Sequence, residues 1–303
     1  MNSPFSLALE AAQAAAGQQY YPSGALYVVA TPIGNLADIS LRALHTLQLV
    51  DAIACEDTRH TQAMLRVYGI TKPLLAAHQH NEREAAQSII TRLQAGERIA
   101  YVSDAGTPAV SDPGARLCAD VRAAGLRVLP LPGASSVTAL LSVAGIVGDT
   151  TDDTAGYVFQ GFLSTKAKER ETQVAAIDSE ARAVVLLEAP HRIEALGAAL
   201  AALGERAVTL GREITKQFED VATVPASGIS AWLAQDSHRT QGEFAIVIHP
   251  RMSQAEQTSQ GQRVLQLLLA ELPTKTAVKL AADITGESRN GLYEIALRIK
   301  NSA

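Results

Sequence analysis

Cysteine is nearly absent: two in 303 residues exclude a disulfide framework or a thiolate metal site as the device that organises this chain. Cys55 and Cys118 each sit inside an apolar run and read as buried free thiols. A basic excess is missing too. Twenty-six Lys and Arg face 31 Asp and Glu, with a net charge of −5, which excludes broad, unspecific nucleic-acid binding but leaves room for a local basic groove. No run approaches the length of a membrane span. The Ala-rich start, Leu7 to Ala16, contains Glu10 and lacks a basic leader, so no signal peptide is expected and a cytoplasmic location is. Also lacking are a G-x-G-x-x-G fingerprint, a P-loop, an H-E-x-x-H and a paired Cys-x-x-Cys. Neither a dinucleotide site of the usual kind nor a metal site is expected. Aromatics make up only 4% of the chain.

Ala, Leu and Val dominate instead, in a composition 47% hydrophobic, which suits helices packed on buried parallel strands. From Gly24 onward short apolar runs alternate with segments of helical spacing, the pattern of a doubly wound α/β sheet. Strands are expected near 24–30, 51–55, 74–77, 99–103 and 127–131. Asp38 or Ser40, and Thr58, stand as helix caps. The polar stretch Gly148 to Gly156 reads as a linker, and a second α/β unit follows it. After a polar break at Ser253 to Gln260 the pattern becomes all helical. The expected organisation is a flexible extension over 1–23, a cofactor-binding α/β domain over 24–147, a substrate α/β domain over 156–250 and a helical module over 258–303. That module has a slight basic excess (Arg263, Lys275, Lys279, Arg289, Arg298, Lys300), which supports an RNA contact.

Three small-residue turns follow first-domain strands: Thr31-Pro32-Ile33-Gly34-Asn35, Asp104-Ala105-Gly106-Thr107-Pro108 and Pro132-Gly133-Ala134-Ser135-Ser136. Together on one sheet edge they can line a nucleotide-sized pocket. Within the second turn Gly106 allows an unusual backbone angle and Asp104 offers a carboxylate, whereas Asp112-Pro113 reads as the start of a helix. In the second domain Glu188-Ala189-Pro190-His191-Arg192 closes a strand. Gly211 to Glu219 is the densest polar stretch near a strand end, and Arg212, Lys216, His191 and Arg192 are candidate phosphate contacts.

Taken together, Val-Ala-Thr-Pro-Ile-Gly-Asn-Leu (29 to 36), Cys-Glu-Asp-Thr-Arg (55 to 59), Ser-Asp-Ala-Gly-Thr-Pro (103 to 108), Ser-Asp-Pro-Gly (111 to 114), Pro-Gly-Ala-Ser-Ser (132 to 136), Glu-Ala-Pro-His-Arg (188 to 192) and Gly-Arg-Glu-Ile-Thr-Lys (211 to 216) resemble the tetrapyrrole-methylase superfamily. Within it the chain is similar to the ribosomal RNA small subunit methyltransferase I family. Its Thr-Pro-Ile-Gly-Asn and Ala-Gly-Thr-Pro turns depart from the Gly-rich turns of the corrin-type relatives. The resemblance implies two α/β domains with S-adenosylmethionine in the cleft between them, a homodimer, and 2'-O-methylation of a decoding-centre cytidine in 16S rRNA within the small ribosomal subunit. Carried over by position, it implies that Ile33, Gly34, Asp104, Ala105, Gly106, Thr107, Val110, Ser135, Ser136, Leu187 and Glu188 hold the cofactor. Lys216, Glu213 and Arg212 are the catalytic candidates, with Lys216 or Glu213 as base or neighbouring cation and Arg212 as a phosphate clamp. Arg59, His191 and Arg192 are the RNA contacts. The alternatives are a tetrapyrrole or protein methyltransferase of the same superfamily, or a non-catalytic RNA-binding assembly factor.

Overall fold

The computed structural model describes residues 4–78, 81–111, 113–147, 156–251 and 260–301. Short runs of Ala, Leu, Ile, Val and Tyr form β1 (Ala25–Val29), β2 (Ala52–Cys55), β3 (Leu74–Ala76), β4 (Arg98–Val102) and β5 (Arg127–Leu131). They pair in parallel in the order β3-β2-β4-β1-β5. Parallel neighbours need crossovers. These are α2 (Leu41–Leu49), α3 (Thr58–Tyr68), α4 (Glu82–Gln94) and α5 (Ala115–Ala123), preceded in the chain by α1 (Ser6–Ala16). Alternation along the strands divides the core. Tyr27, Val29, Ile53 and Val102 pack against α1, α2 and α3, while Leu26, Ala54, Ile99 and Tyr101 pack against α4 and α5.

Local chemistry sets the helix ends, and two of them differ from expectation. Ser40 caps α2, its Oγ accepting from the Ala43 N–H at 3.1 Å. Asp57, not Thr58, caps α3 by accepting from the Arg59 N–H at 2.8 Å. Helix α5 starts at Ala115 behind Gly114 (φ 122°), not at Pro113, whose carbonyl accepts the Tyr101 hydroxyl at 2.8 Å. A Cβ on Gly114 would lie 2.3 Å from the Tyr101 ring. Asp112 itself lies outside the described residues. The chain from 6 to 16, within the expected flexible extension, forms a packed helix. Its Ala12 and Ala16 are buried, and Phe5 meets Tyr68 edge-on with ring centroids 4.9 Å apart.

Helix α6 (Ser136–Val143) leaves the first sheet after β5. The linker expected over 148–156 falls outside the described residues except for Gly156. Strands β6 (Tyr157–Gly161), β7 (Ala183–Glu188), β8 (Ala207–Arg212), β9 (Asp220–Pro225) and β10 (Phe244–Ile248) build a second sheet in the order β6-β7-β10-β8-β9. Only β6 and β7 run parallel; the other pairs are antiparallel. Helices α7 (Ala167–Ser179), α8 (Ile193–Leu200) and α9 (Ile229–Ala234) cover the face carrying Leu186, Leu210 and Ile246. The opposite face, with Val185, Ala245 and Val247, is closed by Val137 and Leu140 of α6. A first-unit helix thus joins the two sheets. Its approach is so close that a Cβ on Gly211 would stand 2.7 Å from Leu140 Cδ1.

Helices α10 (Gln260–Glu271), α11 (Thr274–Thr285) and α12 (Arg289–Asn301) bury a small core of their own around Leu265, Ala281 and Leu292. The polar break expected over 253–260 lies outside the described residues as far as residue 259. Among the described residues no helix is long and apolar enough to cross a membrane. Because Leu140 is fully buried between the units, Leu140→Ala should cost about 2–5 kcal/mol of stability, measured by urea unfolding. A cost below about 1 kcal/mol would mean that α6 does not seal the second sheet.

Candidate active site

Parallel pairing brings the C-terminal ends of β4, β1 and β5 side by side, so the three small-residue turns become neighbours. Backbone bonds then sew them together. Thr31 N–H donates to Gly106 O at 2.9 Å, and Gly106 N–H donates back to Thr31 O at 3.0 Å. Thr107 Oγ1 donates to Ala134 O at 3.1 Å, fixing the third turn to the second. Gly106 holds φ +76°, and a Cβ there would press on Ile33 Cγ2 at 3.1 Å. Glycine therefore serves both the turn geometry and the packing.

Opposite these turns stands the end of the second sheet where β7 and β8 finish and β10 begins. The antiparallel register sets Phe244 between Glu188 and Arg212. Between the two walls lies a cavity of about 330 Å³. Ile33, Ala105, Gly106, Thr107 and Val110 line it, as do Ser135 and Ser136 at the start of α6. From the second unit come Leu187, Glu188 and Lys216. The Ser135 side chain makes no capping bond, so the first-turn N–H groups of α6 have no side-chain cap of their own at this wall.

Other expected site residues lie elsewhere. Asp104 does not line the cavity; its Oδ1 accepts the Asp57 N–H at 3.3 Å and ties the turn after β4 to that after β2. Gly34 packs under Lys216, with a would-be Cβ 2.3 Å from Lys216 Cγ. Arg212, the expected phosphate clamp, turns to the loop and does not line the cavity. It is buried, and its Nη2 donates to Phe218 O at 3.0 Å and its Nη1 to Gln241 O at 3.4 Å, bracing the loop. Arg192 also turns inward, pairing with Glu188 Oε1 at 3.0 Å and donating to Leu163 O. His191 is exposed, and Arg59, 90% exposed, pairs with Asp57 at 3.2 Å. Within the helical module Arg289 pairs with Asp283 at 2.5 Å.

The loop after β8 carries the strongest electrostatics. Lys216 Nζ donates to Glu213 Oε1 at 2.8 Å and to Glu243 Oε2 at 3.0 Å. Glu213 Oε1 also accepts the Glu243 N–H at 2.9 Å. Burial pulls the Lys216 pKa down, but its bonds to the two carboxylates outweigh this and hold it above the ordinary lysine value. Burial likewise pushes Glu213 up, and the Lys216 ammonium and the Glu243 N–H bring it below the ordinary value. Glu188 is raised by burial, partly offset by the Ala189 N–H and Arg192. Glu213 (φ 51°) and Thr215 (φ 69°) hold left-handed backbone without being glycine. Such strain, about 1–3 kcal/mol each, persists only where the surroundings over-determine it. Sequence reasoning missed Glu243, Phe162 and Ile214, which line the cavity as well. Glu243 is one acid before an apolar strand, and only the pairing of Phe244 with Glu188 and Arg212 brings it to the site.

Residues 25–229 match the family model described as Tetrapyrrole (Corrin/Porphyrin) Methylases, and residues 255–300 match that of the RsmI C-terminal HTH domain. The Ribosomal RNA small subunit methyltransferase I of Pseudomonas aeruginosa is 44% identical over 281 residues, 91% of this chain and 98% of that one. The protein of the same name from Neisseria meningitidis serogroup A is 47% identical, covering 92% of this chain and 94% of its own. Two solved structures share the fold. Cobalt precorrin-4 methyltransferase has a TM-score of 0.54 at 16% identity, with 76% of this chain and 98% of that one covered. Diphthine synthase has a TM-score of 0.56 at 16% identity, with 77% and 92% covered.

The contact between Gly34 and Lys216 is directly testable. Gly34→Ala should push the lysine off its carboxylates, so that its amine labels faster with acetic anhydride at pH 8, read by peptide mass spectrometry. Labelling at the wild-type rate would show that the two walls do not meet there.

Proposed function

This chain belongs to the tetrapyrrole methylase family, in its ribosomal RNA small subunit methyltransferase I branch, and from that premise we propose that it transfers a methyl group from S-adenosylmethionine to the 2'-oxygen of a decoding-centre cytidine in 16S rRNA. The acceptor is presented by the small ribosomal subunit, and the enzyme acts in the cytoplasm as a homodimer. Residues 24–147 hold the cofactor, 156–250 bring the acceptor to it, and 258–303 contact the RNA. The observation that carries this reading is the placing of Lys216, a cation fixed by two carboxylates, on the wall facing the three sewn turns.

The residues present fit the cofactor. A cavity of about 330 Å³ is in the range of small-molecule sites, and Ala105, Gly106, Ser135 and Ser136 are small enough to admit a flat ring. The uncapped first turn of α6 suits a carboxylate. Ile33, Val110 and Leu187 give apolar contact, and buried Glu188 adds a negative group. When bound, S-adenosylmethionine supplies an electrophilic methyl group. The chain's own part is alignment and charge: the two walls hold the reacting groups in line, and the Lys216 ammonium stabilises negative charge developing on the acceptor oxygen. Arg59 and His191, exposed beside the cleft elements, remain the proposed RNA contacts, while Arg192 and Arg212 serve the fold.

With labelled cofactor, the protein should methylate small subunits from cells lacking it, and the label should map to one cytidine 2'-oxygen. Transfer to a tetrapyrrole precursor, with none to the subunit, would overturn the reading. Lys216→Met should lower the single-turnover rate about 10²–10³-fold while calorimetric cofactor affinity stays within about threefold. Since Lys216 is held above the ordinary lysine range, it should contribute no limb to the pH–rate profile below about pH 10.

A further inference from the structure

Three titratable side chains line the cavity among the described residues: Glu188, Lys216 and Glu243. Methyl transfer to a hydroxyl breaks the carbon–sulfur bond with its electron pair returning to sulfur, forms a carbon–oxygen bond, and releases one proton. That proton needs an acceptor. Glu188 is already committed, for its side chain is 1% exposed and its Oε1 takes both the Ala189 N–H at 2.8 Å and Arg192 Nε at 3.0 Å. Lys216 is committed as an ammonium by Glu213 and Glu243. Glu213 stands behind Lys216, outside the cavity lining, and is fixed by the Glu243 backbone at 2.9 Å.

Of the three cavity side chains, Glu243 is the most open to water. Its side chain is 79% exposed, and one carboxylate oxygen, Oε2, meets Lys216 Nζ at 3.0 Å. Its backbone is held independently of that contact, because Glu213 N–H donates to Glu243 O at 2.9 Å while Glu243 N–H donates to Glu213 Oε1 at 2.9 Å. One bond is backbone to backbone and the other runs to the Glu213 side chain, and together they fix the Glu243 backbone beside the end of β8 at the cavity edge.

We propose that Glu243 is the proton acceptor of the transfer, a role that rests on the methyl-transfer reading above. Lys216 steadies the acceptor oxygen as its proton leaves. Glu243 takes the proton on its carboxylate and passes it to water on its exposed side. Carboxylate and ammonium thus divide the work that a single neutral lysine does when it acts as base. The division follows from the two acids that keep this lysine charged.

The test compares wild type with Glu243→Gln and Glu243→Asp. Glu243→Gln should lower the single-turnover rate on small subunits about 10²-fold. Glu243→Asp, which keeps the carboxylate, should regain part of the rate. Calorimetric affinity for S-adenosylmethionine should stay within about threefold in both. In protein without cofactor, Glu243→Gln should also speed acetic anhydride labelling of Lys216 at pH 8, because one of its two carboxylates is gone. A Glu243→Gln rate within about threefold of wild type overturns the proposal. So does a loss of cofactor affinity as large as the loss of rate, which would make Glu243 a binding group. Unchanged Lys216 labelling would remove the contact on which the proposal stands. If wild type itself transfers no methyl group to subunits, the methyl-transfer reading falls and takes this one with it. An active wild type with an equally active Glu243→Gln variant removes this one alone.

Discussion

Two backbone hydrogen bonds between Thr31 and Gly106 hold the site's first wall together. Each bond is worth only about 0.5–1.5 kcal/mol, yet their reciprocity fixes the angle between the turns after β1 and β4. Thr107 then carries that fixed geometry to Ala134 and so to the start of α6. Helix α6 in turn seals the open face of the second sheet through Val137 and Leu140. The wall of three turns and the placing of the opposite wall therefore belong to one chain of contacts. A shift at Thr31 or Gly106 is felt at Lys216 both through α6 and through the direct contact with Gly34.

The second wall works by electrostatics more than by shape. Lysine beside a single carboxylate is an ordinary ion pair, but Lys216 meets two, and one of these is pinned by a backbone N–H. The left-handed backbone at Glu213 and Thr215 is the cost of presenting that lysine into the cleft from a short loop. Buried Arg212 stabilises the same loop by bonding Phe218 O and Gln241 O. Two of its guanidinium nitrogens are thereby spent on the loop that presents Lys216.

Much of the fold is legible in sequence because strand–helix alternation leaves a strong hydrophobic signature, as β1, β4 and α4 show. The three turns are legible for the same reason, since small residues at strand ends have few other uses. Side-chain direction is not. Asp104 and Asp57 look equally available in sequence, and only the neighbouring of β2 and β4 turns one onto the other. Arg192 and Arg212 read as surface cations, but their bonds to Glu188 and to the carbonyls of Leu163 and Phe218 depend on long-range packing. Glu243 carries no local signal because the antiparallel register of β10 brings it to Lys216 from 27 residues away. The packing of helix α1 has no local signal: an Ala-rich segment reads as a flexible extension, and the edge-on contact of Phe5 with Tyr68 is made across the fold.

The central claim is that one cleft holds S-adenosylmethionine against the sewn turns while a doubly held Lys216 faces it. A crystal structure of the protein with S-adenosylhomocysteine tests this most directly. The account predicts the ligand in contact with Ile33, Gly106, Ser135 and Leu187, with Lys216 Nζ still bonded to Glu213. A ligand bound away from these turns, or a Lys216 released from both carboxylates and turned to solvent, would contradict it.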